Sequence, residues 1–178
     1  MSSFYKMGDS VEWAEAFGAP DDIESWLLAE LTRAFYEARK AKRTTADEQL
    51  FETRCFENLL LLRDKILTDE YVPSHGIAFV SKSPVVREIF AAPFIDRIVH
   101  HFLYNGVADW WDRRFVYDSG SCRKEKGTLF CLKRLAYHIR SVTDNYTKPA
   151  YIIKLDIQGY FMSLRRDKLF ERILWGCL

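Results

Sequence analysis

The apolar pattern of this chain changes period at Tyr71-Val72-Pro73, and that change limits what the chain can fold into. Before it, the spacing is helical, as at Phe56, Leu59, Leu60 and Arg63. After it, Gly76–Lys82 and Val85–Phe90 are short, rich in β-branched residues and separated by Ser83-Pro84. An all-α or all-β fold is therefore excluded, and the chain reads as helix-rich α/β (α+β) with a small antiparallel sheet. Pro20-Asp21-Asp22-Ile23-Glu24 reads as a helix start, with acids at the positive end of the dipole, and the helix runs to about Ala41. Thr45 and Glu48 have capping-box spacing and open a second helix to about Leu67. The two form a helical hairpin joined by a short charged turn.

Beyond the β-hairpin, Pro93 opens a helix to about Asp112. A basic loop from Arg113 to Lys126 follows, then a helix from Thr128, a possible N-cap, to about Thr143. Tyr151–Leu155 reads as a strand ending at Asp156, with a turn at Gly159-Tyr160-Phe161 and a last helix from about Arg166.

At 178 residues, with 48% hydrophobic side chains and only 8 Gly and 5 Pro, the chain can bury a core and is not low-complexity. Its longest apolar runs are a few residues, against about 20 for a membrane span. Neither an h-region nor a cleavage site marks the N-terminus as a secretory signal. Cys55, Cys122, Cys131 and Cys177 form no CxxC pair, so they read as small buried hydrophobes in a cytoplasmic protein.

The net charge of +1 hides a polarised chain. Residues 1–80 carry 9 basic and 15 acidic side chains, whereas residues 81–178 carry 17 and 10. Between Arg113 and Arg140 there are 8 basic residues against 2 acidic, a local surface suited to phosphates or simply to water. Adjacent His100 and His101 point about 100° apart on a helix, so one packs and one faces solvent. Asp96 reads as structural, Arg97 as either an ion-pair partner or a template contact, and Trp110-Trp111 as packing at a helix end.

Asp156 carries the sharpest chemistry. A strand end holds a carboxylate rigidly, and Mg²⁺ on nucleotide phosphates prefers one or two carboxylates. By itself the arrangement reads first as an ordinary strand-end acid capping a turn. Three segments together are more specific: Val86-Arg87-Glu88-Ile89-Phe90 with Arg97-Ile98-Val99-His100-His101, then Asp118-Ser119-Gly120-Ser121-Cys122-Arg123-Lys124-Glu125-Lys126-Gly127-Thr128, then Lys154-Leu155-Asp156-Ile157 with Tyr160-Phe161. In that order they resemble the N-terminal motifs of bacterial reverse transcriptases, the branch of group II introns, retrons and diversity-generating retroelements.

The resemblance spans roughly residues 70–175. It implies a right-hand polymerase, with 1–70 an N-terminal helical extension, 71–150 fingers and 151–178 the start of the palm. It implies that Asp156 is the first catalytic aspartate and binds Mg²⁺ (or Mn²⁺), with the Ile157 carbonyl in one metal's shell. Lys82 and Arg87 match the pair that clamps the dNTP triphosphate, with Ser83-Pro84 standing where the family has a glycine-containing turn. Phe161 matches the steric gate against a 2′-hydroxyl. Arg97, Arg113, Arg114, Arg123, Lys124 and Lys126 are the candidate contacts to RNA template and DNA or RNA primer. An accessory retroelement protein is an implied partner, and no membrane is.

The sequence departs from the family further: the Tyr-x-Asp-Asp hairpin that supplies the second carboxylates, the motif that supports the incoming base, the rest of the palm and the thumb do not occur in these 178 residues. The expectation is an inactive N-terminal portion, whose Leu169, Ile173, Leu174 and Trp175 would favour self-association. The alternative is a non-catalytic RNA-binding or antiphage-defence module derived from such an enzyme.

Overall fold

The computed structural model describes residues 18–40, 45–83 and 86–177, with the side chains at 87, 161, 162 and 174–177 left out of the description. Among these residues the protein is helix-rich with one two-stranded antiparallel sheet, an α+β arrangement. Helix α1 is Ile23–Ala38, α2 is Ala46–Thr53 and α3 is Cys55–Leu67. Strands β1, Ile77–Ser81, and β2, Arg87–Ala91, precede α4, Phe94–Asp112. Helix α5 is Thr128–Val142, α6 is the single turn Tyr160–Ser163 and α7 is Arg166–Cys177. None of the described helices is long and apolar enough to cross a membrane.

The chain divides into two compact units, one up to Ala108 and one from Asp109. In the first, α1 starts where the acids indicated: Asp22 caps it, its carboxylate accepting the Ser25 N–H at 3.2 Å. Leu27, Leu31, Ala34, Phe35 and Ala38 follow at helical spacing and are buried, against α3 and α4. Phe35, Phe51 and Phe94 meet with ring centroids 5.5–5.9 Å apart, the edge and offset geometry that aromatic quadrupoles favour.

The helix expected from Thr45 to Leu67 is broken. Arg54, at φ −133° and ψ 45°, ends α2 and begins α3. The amide of Asn58 donates to the freed Phe51 carbonyl at 3.0 Å, satisfying a group the break exposes. Glu48 does not complete the capping box. It is buried, its carboxylate oxygens lack hydrogen-bond partners among the described residues, and its nearest cation is Arg39 Nε at 3.9 Å. A side chain drawn into the core cannot also turn back to the helix start.

The hairpin forms as the two short runs suggested, with Ile77 opposite Ala91 and Ser81 opposite Arg87. Pro93 precedes α4, and its carbonyl accepts the Arg97 N–H at 3.1 Å.

In the second unit two expectations fail. Gly127, not Thr128, occupies the N-cap of α5, in extended backbone. Tyr151–Leu155 forms no strand: a ladder needs a neighbouring chain, and among the described residues none pairs with it. Tyr151 is 97% exposed and Leu155 87%.

Candidate nucleic-acid and nucleotide-binding residues

The hairpin register brings the backbones of Lys82 and Arg87 to the same end of the sheet, since Lys82 directly follows the Ser81–Arg87 pair. Lys82 is exposed. The Arg87 side chain lies outside the described residues, as does that of Phe161, whose backbone sits in α6.

Helix α4 carries the next candidates. Asp96 is buried and structural, as its sequence context suggested. Its carboxylate accepts the Tyr71 hydroxyl at 2.7 Å and the Ser74 N–H at 2.9 Å. Burial first, and then this bond, push the Tyr71 phenol above its ordinary range. Arg97 donates to the Ala38 carbonyl at 3.2 Å, near the C-terminal end of α1, with its guanidinium 6.0 Å from the centre of the Phe94 ring. Arg97 is thus half-buried and tied to the fold. His100 is exposed, and His101 is half-buried with Nδ1 3.8 Å from Glu37.

The basic loop is the most ordered polar feature of the second unit. Arg123 Nε and Nη2 grip the Asp112 carboxylate at 2.6 and 3.2 Å. Nη2 also donates to the Asp112 carbonyl at 3.0 Å, and Nη1 to the carbonyls of Val116 and Ser119 at 2.9 and 3.1 Å. That hydrogen bond holds the Asp112 carboxyl below its usual range and raises Arg123. Lys126 Nζ donates to the Tyr117 carbonyl at 2.7 Å and lies 4.3 Å from that ring's centre. Arg114 stacks 3.2 Å over Trp110 and donates to its carbonyl. Arg113 uses only Nε, toward the Asp109 carbonyl at 3.2 Å. Lys124 is exposed.

A second cluster was not anticipated. Asp118 bonds Arg134 through both carboxylate oxygens and His138 Nε2 at 2.6 Å. Arg134 first, then His138, depress the Asp118 carboxyl to about 2. The signal that could have found both clusters is an acid beside or within a basic run: such an acid folds its neighbours inward. Cys122 and Cys131 are exposed, against the expectation of buried cysteines, because the loop and α5 bury no apolar side chain; Cys55 is half-buried against the core of the first unit, and the Cys177 side chain lies outside the described residues. Gly120 makes room for the Cys131 sulfur, which would collide with any Cβ there.

Asp156 is exposed, and its Oδ1 accepts the Ile157 N–H at 3.0 Å. Gly159, at φ +63°, makes the left-handed turn into α6, a conformation glycine adopts without a Cβ penalty. Asp156 offers carboxylate oxygen, the donor a hard divalent ion prefers. Among the described residues it belongs to no group of three His, Cys, Asp or Glu that could hold a metal. No family model matches the chain, and no curated protein matches it.

Proposed function

We propose that this chain is the fingers and first palm segment of a bacterial reverse transcriptase, contributing to RNA-templated DNA synthesis by nucleotidyl transfer. The observation that carries the reading is the ordered series of motifs ending in Asp156, an exposed carboxylate three residues before a glycine-enabled turn. The β-hairpin at the place of the proposed triphosphate clamp, Lys82 and Arg87, supports it.

In this reading Asp156 and the Ile157 carbonyl hold Mg²⁺ or Mn²⁺, which activates a primer hydroxyl and stabilises pyrophosphate. Phe161 would press on the nucleotide sugar. Arg113, Arg114, Arg123, Lys124 and Lys126 would serve template and primer, either by contact or by holding the loop. Arg97, tied to α1, contributes by positioning. The open apolar surface at Leu169 and Phe170 is consistent with self-association or with an accessory protein.

The alternative is a non-catalytic RNA-binding or antiphage-defence module derived from such an enzyme, which the basic loop of residues 113–126 suits as well.

Expression of the whole open reading frame containing this sequence separates the two. Mg²⁺-dependent dNTP incorporation on an RNA template, abolished by Asp156→Asn, is the expected result. RNA binding without incorporation from a frame closed at codon 178 would replace the enzyme reading with the module. Incorporation that survives Asp156→Asn would remove Asp156 from catalysis. Residues 1–178 alone are expected to incorporate nothing.

A further inference from the structure

Building on the nucleic-acid reading of the basic loop, we infer that residues 113–126 are a pre-shaped phosphate-binding loop. Arg123 is its positioning residue, and Arg113 and Lys124 make the phosphate contacts. The five basic side chains of this stretch are equivalent in sequence but not in space.

Arg123 spends its guanidinium on five bonds within the loop's own frame, two of them to the carboxylate of Asp112 and three to backbone carbonyls at 112, 116 and 119. Its side chain is 7% exposed. A planar fork filled this way has no edge left for a phosphate. Those carbonyls lie on the incoming arm of the loop, so the side chain fastens that arm to the outgoing one. Lys126 fastens the same arm again through the Tyr117 carbonyl.

The backbone beside the clamp gives an independent indication. Cys122 and Glu125 both lie in the left-handed region, at φ +56° and +59°. Non-glycine residues hold that conformation only where the surroundings impose it. These two residues bracket Arg123-Lys124, turning one side chain into the loop while the other stands exposed. Among the described residues Lys124 Nζ and the terminal nitrogens of Arg113 have no hydrogen-bond or ion-pair partner, so they keep their charge for a ligand.

The two roles give opposite signs in one experiment. Asp112→Asn removes an acid from a basic surface. If Arg123 were a phosphate contact restrained by Asp112, this change would release it and tighten RNA binding. If Arg123 positions the loop, binding weakens instead. The full 178-residue chain is titrated against fluorescein-labelled oligouridine across a salt series. Asp112→Asn, Arg123→Ala and Arg123→Lys are each expected to weaken binding about tenfold, since lysine keeps the charge but not the fork. Arg113→Ala and Lys124→Ala are each expected to lower the slope of log K against log salt by about 0.7, the single-strand value for one lost phosphate contact.

Amide hydrogen exchange is read alongside. Residues 113–126 should lose protection in Asp112→Asn and both Arg123 variants, and keep it in Lys124→Ala. Tighter binding by Asp112→Asn, or unchanged exchange in it, overturns the positioning role. Failure of the wild-type chain to bind oligouridine overturns the phosphate role and the nucleic-acid reading beneath it, while the exchange data still decide the clamp.

Discussion

The two compact units are held together by different physics. Up to Ala108, twelve apolar side chains are buried in one cluster drawn from α1, α2, α3 and α4. From Asp109 onward, Thr143 is the one buried residue among those described, and it is polar. Helix α5 buries none of its residues, and Leu129, Leu132 and Leu135 stand open on it. What orders the second unit instead is a set of charge-assisted bonds centred on Asp112 and Asp118, with turns closed by side chains. A core resists salt and acid, because burying apolar surface involves no ion. Exposed ion pairs are screened by salt and titrate away. The units should therefore respond to different perturbations.

The largest expected effect is on the core. Phe94 is 1% exposed and touches the rings of Phe35 and Phe51. Phe94→Ala should cost about 3–5 kcal/mol, combining lost transfer energy with the cavity left behind. Urea unfolding followed by hydrogen exchange at the amides of α1 and α3 would measure it. Protection in the 113–126 loop should stay near its wild-type level. Equal loss in both units would mean that the second unit depends on the first unit's core after all.

The same contrast explains what could be read from the sequence. Where burial decides the structure, periodicity reports it: α1 and the Pro93-led α4 formed as their patterns indicated, and the largely exposed β runs formed because each supplies the other's ladder. The exceptions in the first unit are the break at Arg54, where the Asn58 amide satisfies the Phe51 carbonyl, and the capping box that the buried Glu48 leaves unformed. In the second unit, pattern and burial part company. Tyr151–Leu155 has the composition of a buried strand yet stands in solvent unpaired, because alternation and β-branching specify a strand only when a neighbour supplies the ladder. Cys122 and Cys131 stand exposed for the same reason. The candidate site was legible as charge, in that the basic loop is where the residues placed it. It was not legible as roles, because which arginine turns inward depends on where Asp112 and Asp118 fall once the chain folds back.

Acid should open the second unit first. The Asp118 carboxyl is depressed to about 2 by Arg134 and His138. A carboxyl with a lowered folded value contributes stability that is complete above its unfolded value near 4 and disappears as pH falls through the folded one. Between about pH 4 and pH 2, exchange at the loop and at α5 should therefore accelerate before protection in α1 changes. Asp118→Asn should lower protection of α5 at neutral pH and remove its acid response over the same range, leaving at the loop the response that Asp112 contributes. Simultaneous acid opening of both units would show that Asp118 is not what holds its unit together.

The smallest effect tests how much backbone strain the clamp imposes on the polar unit. Glu125, at φ +59°, has no cluster of its own to hold it in the left-handed region beside Arg123. Glycine enters that region without the Cβ clash, although it loses more backbone freedom on folding. Glu125→Gly should thus raise protection of the 113–126 loop by roughly 0.5–1 kcal/mol, the part of the left-handed cost that remains after that entropy. The gain should vanish in Asp112→Asn, where the clamp no longer imposes the conformation. An equal gain in both backgrounds would trace the effect to removal of an acid from a basic surface rather than to relief at the turn.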